Sequence, residues 1–179
     1  MRLKDKRAAV LLTAGLLAVP LLPAVLVGAT PIDDWAPVGA GEPVRVVSAD
    51  GAAVDIELPA GWVYRQFGGD GVVARSADGA AVLLEVVDRD GRDPDAVTER
   101  LIRRDRVGGT NAALTEGAVS TGDGSLHGRP CTAVAHELSG SCAFLADDDV
   151  VVSVYVLGTP DTPAPDLSDV LGAISRSDS

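Results

Sequence analysis

The sequence predicts an α+β fold class: an N-terminal transmembrane helix followed by an antiparallel β-sheet packed with two helices. The transmembrane helix is predicted from Ala8–Ala29, which contains no charged residue. The sheet is predicted from short, Val-rich segments that are separated by turn residues. The two helices are predicted from amphipathic stretches that follow Asp93 and Asp166, because Asp is a favoured N-cap.

The N-terminal apolar run is long enough to be a membrane anchor. Its 22 residues would form about 33 Å of helix, and a hydrocarbon core is about 30 Å thick. A basic tail precedes the run and predicts a cytoplasmic N-terminus and an extracytoplasmic C-terminal domain. The alternative is a secreted protein, because Val27-Gly28-Ala29 suits cleavage near Ala29, and Pro20 and Pro23 weaken the helix.

The chain thus divides into four predicted parts. Residues 1–7 form a cytoplasmic basic tail, and residues 8–29 form the signal anchor. Residues 30–43 are rich in Pro, Gly and acidic residues, which is typical of a stalk rather than of a packed element. Residues 44–179 form the extracytoplasmic α+β domain, which is long enough to bury a core of its own.

The first strands are predicted from two hairpins. Asp50-Gly51 and Asp78-Gly79 are strong two-residue turn signals. The strand after the first turn alternates apolar and acidic residues up to Leu58, which is typical of a half-buried strand. The strand after the second turn, 80–88, is apolar on both faces except at Glu85, so we predict that it is central. The further predicted strands are 112–119, 131–138, 142–146 and 150–157.

The two helices have clear boundaries. The first begins with Asp93-Pro94, an N-cap followed by proline at the first helical position, and ends before Gly108-Gly109. Leu101 lies on its apolar face. The last helix follows Asp166, and apolar spacing extends it to Ile174. Aromatic residues make up only 3% of the chain, so the core must consist mostly of Val, Leu, Ile and Ala.

The charge balance excludes one class of partner. Both lysines lie in the first seven residues, and residues 8–179 carry 11 arginines and 25 acidic residues, a net charge of −14. An acidic domain is repelled by polyanions, so we predict that it binds no nucleic acid. The preference for Arg over Lys, with abundant Ala, Gly and Val, is typical of a high-GC genome such as that of an actinobacterium.

Cys131 and Cys142 are the two cysteines, and such a pair in an oxidising compartment predicts a disulfide. The predicted hairpin argues against it. With the tip at Ser139-Gly140, Glu137 faces Cys142, and Cys131 lies six residues away, about 20 Å along its strand. A disulfide needs Cα atoms within about 7 Å, unless the strand bends or the turn lies elsewhere. The alternative is therefore two small buried thiols.

One segment resembles a known family. Val54–Trp62 reads VDIELPAGW, a strand that ends in Leu-Pro-x-Gly-Trp. Together with the order of elements from Val44 to Ser175, it resembles the PsbP/Mog1-like domains of actinobacterial exported proteins. The resemblance implies a sandwich of sheet and helices that serves as an accessory or binding module, usually without catalysis. It implies no shared catalytic residues.

No motif in the sequence indicates an enzyme, a cofactor or a metal site. His127 and His136 are the two histidines, and no G-x-S-x-G elbow accompanies them. The acidic turn 88–93 lacks the ligand spacing of a calcium loop, and Asp147-Asp148-Asp149 is predicted to be a solvated turn. We therefore predict a non-enzymatic protein with no cofactor.

The predicted function is that of a single-pass, envelope-associated accessory protein. The membrane and either an envelope protein or a cell-wall component would be its partners. The predicted contact surface comprises Arg100, Arg103 and Arg104 on the first helix, and Trp62. The alternative for the three arginines is a solvated helix face, and the alternative for Trp62 is a residue that anchors the core. The alternative function is binding of a small molecule or lipid in an apolar pocket; a cryptic hydrolase would need His136 beside a Ser and an Asp.

Overall fold

The structure is a computed structural model and describes residues 35–177. Strands account for 46% of it and helix for 14%, so the predicted α+β class is wrong and the domain is mostly β. The single predicted sheet is replaced by two antiparallel sheets. The difference arises from short strands that have no clear apolar alternation, such as Val63–Phe67, whose side chains are largely exposed.

The predicted transmembrane helix and the single-pass membrane location are also corrected. Within residues 35–177, no helix is both long and apolar enough to cross a bilayer. The segment 8–29, from which the anchor was predicted, lies outside the described residues. The membrane prediction therefore has no support in the structure.

The larger sheet has nine strands, and every neighbouring pair is antiparallel. Its central strands, β6 (Ala81–Asp88) and β11 (Val150–Gly158), are largely buried, which confirms the prediction that β6 is central. In spatial order the strands are β1 (Ala36–Pro37), β4 (Val63–Phe67), β5 (Gly71–Arg75), β6 (Ala81–Asp88), β11 (Val150–Gly158), β10 (Leu138–Ala146), β9 (His127–Ala135) and β7 (Thr110–Leu114), with β8 (Val119–Ser120) also paired to β9.

The smaller sheet has the order β12 (Ile174–Ser177), β3 (Ala53–Ile56) and β2 (Val44–Val47). Gly51 has a φ of 95° in the turn between β2 and β3, so a turn lies at Asp50-Gly51 as predicted; the backbone N–H of Ser48 donates to the carbonyl of Ala52, so the loop has three residues rather than the predicted two. The strand β12 replaces the predicted end of the last helix. That helix, α2 (Leu167–Gly172), has only 6 residues, and Ile174 pairs with Ile56 instead.

Residues 35–43 belong to the stretch that was predicted to be a stalk. Ala36–Pro37 form β1 and pair with Tyr64 and Val63 of β4. The guanidinium carbon of Arg75 lies 4.1 Å from the centre of a Trp35 ring, a cation–π contact. These contacts hold the start of the described chain against the edge of the larger sheet.

The helix α1 (Pro94–Val107) forms as the sequence predicts. The Asp93 carboxylate accepts hydrogen bonds from the backbone N–H groups of Asp95 and Ala96, at 2.9 and 3.2 Å. These bonds satisfy donors that have no partner inside the helix. Leu101, on the inner face of the helix, is 1% exposed.

Two separate apolar cores lie on the two faces of the larger sheet. One lies between the two sheets and includes Val154 and Val156 of β11. The other lies under α1 and includes the intervening Tyr155 and Leu157. Because successive side chains of a strand point to opposite faces, the same strands build both cores.

The disulfide between Cys131 and Cys142 is present, and the predicted hairpin tip is wrong. The turn lies at His136-Glu137, so Cys142 pairs directly with Cys131, and their Cα atoms are 4.7 Å apart. Gly140 lies within the strand β10. Glycine is needed there because a side chain would collide with the carbonyl oxygen of Val156 in β11. The glycine that suggested a turn thus reflects a close approach of two strands.

Candidate functional site

A large cavity lies on the face of the larger sheet that α1 covers only in part. Its volume is about 1300 Å³. It is bounded by β5, β6 and β11, by the C-terminal end of α1, and by the turns β4–β5 and β9–β10. Its apolar walls include Phe67, Val73, Leu83 and Leu157. Together these residues form the apolar floor and rim of the cavity, beside the core that lies under α1.

The cavity exists because α1 is short and lies toward one side of the sheet. The helix contacts β7 and β11. It ends at Gly108, and Gly109, with a φ of 92°, turns the chain into β7. No described element then covers the outer face of β5 and the adjoining part of β6, so this face of the sheet stays open.

Four polar side chains form one hydrogen-bonded cluster in this cavity. The Arg104 guanidinium donates to both carboxylate oxygens of Glu85, one of them at 2.6 Å from Nη1, and to Oδ1 of Asp105 at 3.0 Å from Nη2. The Tyr155 hydroxyl donates to Oδ2 of Asp105 at 2.5 Å. With two carboxylates and one guanidinium, the cluster of Glu85, Arg104, Asp105 and Tyr155 carries one net negative charge.

The cluster stabilises groups that burial would otherwise penalise. The Glu85 side chain is only 11% exposed, and an isolated carboxylate there would be costly. The hydrogen bonds to Glu85 raise the pKa of Arg104 above its usual value, so it stays charged. Burial, and then the bond to Asp105, raise the pKa of Tyr155, so its hydroxyl stays protonated at neutral pH.

Ser153 is a buried polar residue beside this cluster. It is 2% exposed, lines the cavity and pairs with Glu85 across β11 and β6. No hydrogen bond joins its hydroxyl to a group of residues 35–177, and because every fully buried side-chain oxygen there has a partner, this hydroxyl must have access to the cavity. Two polar residues thus interrupt two apolar central strands at the same register position. The sequence shows each polar residue as a single exception in an apolar strand, but their shared register is visible only in the structure.

His136 lies at the rim of the cavity in a strained conformation. Its φ is 54°, in the left-handed region that non-glycine residues rarely adopt, although histidine does so more often than most. In the described part of the chain its ring accepts and donates no hydrogen bond, so neither a serine nor an aspartate is oriented by it. A hydrolase triad requires both contacts, and the geometry gives the hydrolase hypothesis no support.

The residues of the predicted contact surface do not form one patch. Arg104 turns inward to Glu85, whereas Arg103 pairs with Glu99 on the exposed side of α1 at 3.2 Å. Arg100 is exposed. Trp62 is half-buried and packs against the core between the two sheets. Only Arg104 of this set lines the cavity.

The acidic turn at 147–149 contacts a basic residue of the smaller sheet. Arg176 of β12 lies 2.8 Å from Asp147 and 3.7 Å from Asp149. The Asp147 carboxylate also accepts the backbone N–H groups of Asp149 and Val150. This turn therefore fastens the smaller sheet to the larger one. Across residues 35–177, no group of three or more His, Cys, Asp or Glu side chains could hold a metal ion.

The chain matches no protein-family model and no curated protein sequence. Its resemblance to PsbP/Mog1-like domains over Val54–Trp62 stays a prediction. A fold does not by itself specify a function, whereas a cavity and its side chains determine what a domain can bind.

Proposed function

We propose that this protein is a non-catalytic binding module for a small molecule with an apolar body, which occupies the cavity beside the C-terminal end of α1. The observation that carries this proposal is the cavity itself, at about 1300 Å³. Ligand sites are usually about 300–1,000 Å³, mostly apolar, with a few converging polar groups. The accessory or binding role that the PsbP/Mog1-like resemblance implies agrees with this proposal.

The composition of the lining favours a ligand over a simple surface groove. Phe67, Val73 and Leu83 keep part of their side chains exposed to the cavity, although the strand positions on both sides of Val73 and of Leu83 are buried. Exposed apolar surface of this kind is costly in water and marks binding sites in soluble domains. The cluster of Glu85, Arg104, Asp105 and Tyr155 would orient the ligand.

A neutral fluorescent probe tests this function. We expect N-phenyl-1-naphthylamine to bind the full chain saturably and to gain fluorescence in the apolar cavity. Val73→Trp fills the cavity from β5 and should weaken binding at least about tenfold. The matched control is Val134→Trp, at a 52% exposed position of β9 that does not line the cavity. It should bind the probe as the parent chain does.

Two results would overturn the proposal. One is a full chain that gives no saturable binding. The other is a folded Val73→Trp protein, verified by its thermal unfolding, that binds the probe as well as the parent. If Val73→Trp does not fold, Phe67→Ala at the exposed rim replaces it. That variant should weaken binding about threefold to tenfold through lost apolar contact, and an unchanged affinity would count against the cavity.

A further inference from the structure

We propose that the cavity selects an amphiphilic cation, a molecule with an apolar body and an ammonium head group placed at the floor of the cavity. This inference rests on the proposed binding function and adds the chemical class of the ligand. It is carried by two independent observations: the excess of carboxylate groups in the cavity, and Ser153, a buried residue whose hydroxyl reaches the cavity and has no partner in residues 35–177.

The charge of the lining is strongly asymmetric. Four carboxylates line the cavity, and Arg104 is the one arginine that does so. Its guanidinium is already engaged by two of those carboxylates, Glu85 and Asp105, and is therefore not free to bind an anion. The other two, Asp70 and Glu137, lie in the turns at the mouth. An anionic head group would meet net negative charge, and a cationic one would be attracted.

The cluster leaves room for one more cation contact. Asp105 shares its oxygens between Arg104 and the Tyr155 hydroxyl, at 3.0 and 2.5 Å. A carboxylate has about four lone-pair sites, so both Asp105 and Glu85 retain acceptor capacity. Because the Tyr155 hydroxyl stays protonated, it adds no charge of its own. The unneutralised charge of the cluster is thus available to an ammonium group.

Ser153 supplies a polar contact that the fold does not use. Its neighbours on β11 are valines, and a valine or alanine at this position would complete an apolar face. The hydroxyl instead faces the cavity beside Glu85. Within residues 35–177 every fully buried side-chain oxygen has a hydrogen-bond partner, so the unpaired Ser153 oxygen reaches the cavity, where a ligand atom can pair with it. The hydroxyl oxygen can accept from an ammonium N–H.

Calorimetric titration of the full chain with ligands of equal chain length tests the head group. The four probes are decylamine, decyltrimethylammonium, decanol and decyl sulfate, each kept below its micelle-forming concentration. We expect both cations to bind at least about tenfold more tightly than decanol, and decyl sulfate to bind most weakly. The preference for the cations should shrink as salt is added.

Two variants locate the head group. Asp105→Asn keeps an acceptor for Tyr155 but makes the cluster neutral, so it should reduce the preference for cations over decanol at least about threefold, while Asp70 and Glu137 at the mouth keep part of it. Asp95→Asn, an exposed position in the first turn of α1 and outside the cavity lining, is the control and should keep the preference. Ser153→Ala should weaken decylamine about threefold to tenfold and spare decyltrimethylammonium, which has no N–H to donate.

The outcomes separate the two proposals. Equal binding of the four probes, tighter binding of the sulfate, or a preference that Asp105→Asn leaves unchanged would overturn the cation assignment while the binding function stands. If none of the four probes binds and the neutral naphthylamine also fails to bind, the binding function itself is overturned. A cation preference that falls in Asp105→Asn but not in Asp95→Asn supports the assignment.

Discussion

The same strands build both faces of the larger sheet, but different elements cover the two faces. On one face, β2, β3 and β12 cover the sheet, and the side chains of Val150, Val152, Val154 and Val156 have no exposed surface. On the other face, α1 covers only part, and the alternate positions of β11 include Ser153 and Tyr155. We call these the sealed face and the open face.

The difference indicates which residues serve the fold and which serve a ligand. A face selected only for stability becomes uniformly apolar, because each buried polar group costs free energy unless it is paired. The sealed face meets this description. The open face places Glu85 in the middle of β6, where Arg104 must neutralise it. Polar groups that are kept at such a cost are typical of functional sites.

The largest expected effect is on the sealed face. Leu84 of β6 has no exposed surface, so Leu84→Ala should lower the free energy of unfolding by about 3–5 kcal/mol through lost burial and a cavity that cannot collapse. Urea unfolding measures this loss. Val134→Ala, at a 52% exposed position, is the control and should change it by less than about 0.5 kcal/mol. A loss for Leu84→Ala as small as that for Val134→Ala would mean that the two sheets do not pack against each other.

The helix of the open face should contribute somewhat less. Leu101 is its buried anchor, and Leu101→Ala should cost about 2–4 kcal/mol in the same measurement, because the adjoining cavity lets the site relax. The exposed Arg100→Ala on the same helix should cost almost nothing. A loss below about 0.5 kcal/mol for Leu101→Ala would show that α1 is not docked on the sheet, and it would remove one wall of the cavity.

The disulfide lies on the open face and should add stability there, where α1 covers only part of the sheet. It closes a loop of 11 residues between β9 and β10, so removing it should cost about 2–3 kcal/mol, mostly by freeing the unfolded chain. The double variant Cys131→Ala/Cys142→Ala, compared with the parent in urea, measures this loss. Reducing agent should then have no further effect on the variant. If the parent were no more stable than the double variant, this would contradict a disulfide between Cys131 and Cys142.

Much of this organisation could be predicted from sequence, and the failures have physical causes. The cap at Asp93, the turn at Gly51 and the central position of β6 follow from local chemistry, and all three are confirmed. The short strands β4 and β12 are defined mainly by their partners across the sheets, which local sequence does not specify. The hairpin tip was placed at Ser139-Gly140 because Gly140 looked like a turn residue.

The candidate site could not be predicted because it depends on strand register. Glu85 and Ser153 are far apart in sequence, and each looks like a single exception in an apolar strand. Only the antiparallel pairing of β6 with β11 places them side by side. Arg104 was predicted on the exposed side of a helix, and its pairing with Glu85 likewise depends on where α1 docks.

A smaller effect, on the sealed side, depends on pH. The Asp123 carboxylate accepts hydrogen bonds from Thr121, from Ser125 and from the backbone N–H of Arg176 in β12. Burial opposes ionisation, but these bonds outweigh it and hold the pKa of Asp123 well below its usual value. Asp123→Asn should therefore cost about 1–2 kcal/mol at neutral pH.

The pH dependence follows from the sign of that shift. Because the pKa is lower in the folded than in the unfolded chain, the stabilisation is fully present above about pH 4 and is lost as the pH falls toward the folded value. Urea unfolding of the parent and of Asp123→Asn from pH 7 to pH 2 should give curves that converge in acid. Asp161→Asn, at an exposed loop position, serves as the control. A difference that stays constant with pH would rule out the carboxylate charge as its source.

The smallest expected effect compares one buried serine from each side. Ser48, in the turn of the smaller sheet, is 5% exposed and accepts the backbone N–H of Ala52 at 3.1 Å, so Ser48→Ala should cost about 1 kcal/mol. Ser153 is buried as deeply, but residues 35–177 offer its hydroxyl no partner, so Ser153→Ala should change the free energy of unfolding by less than about 0.5 kcal/mol. Equal losses in urea would mean that the Ser153 hydroxyl is structural and not reserved for a ligand.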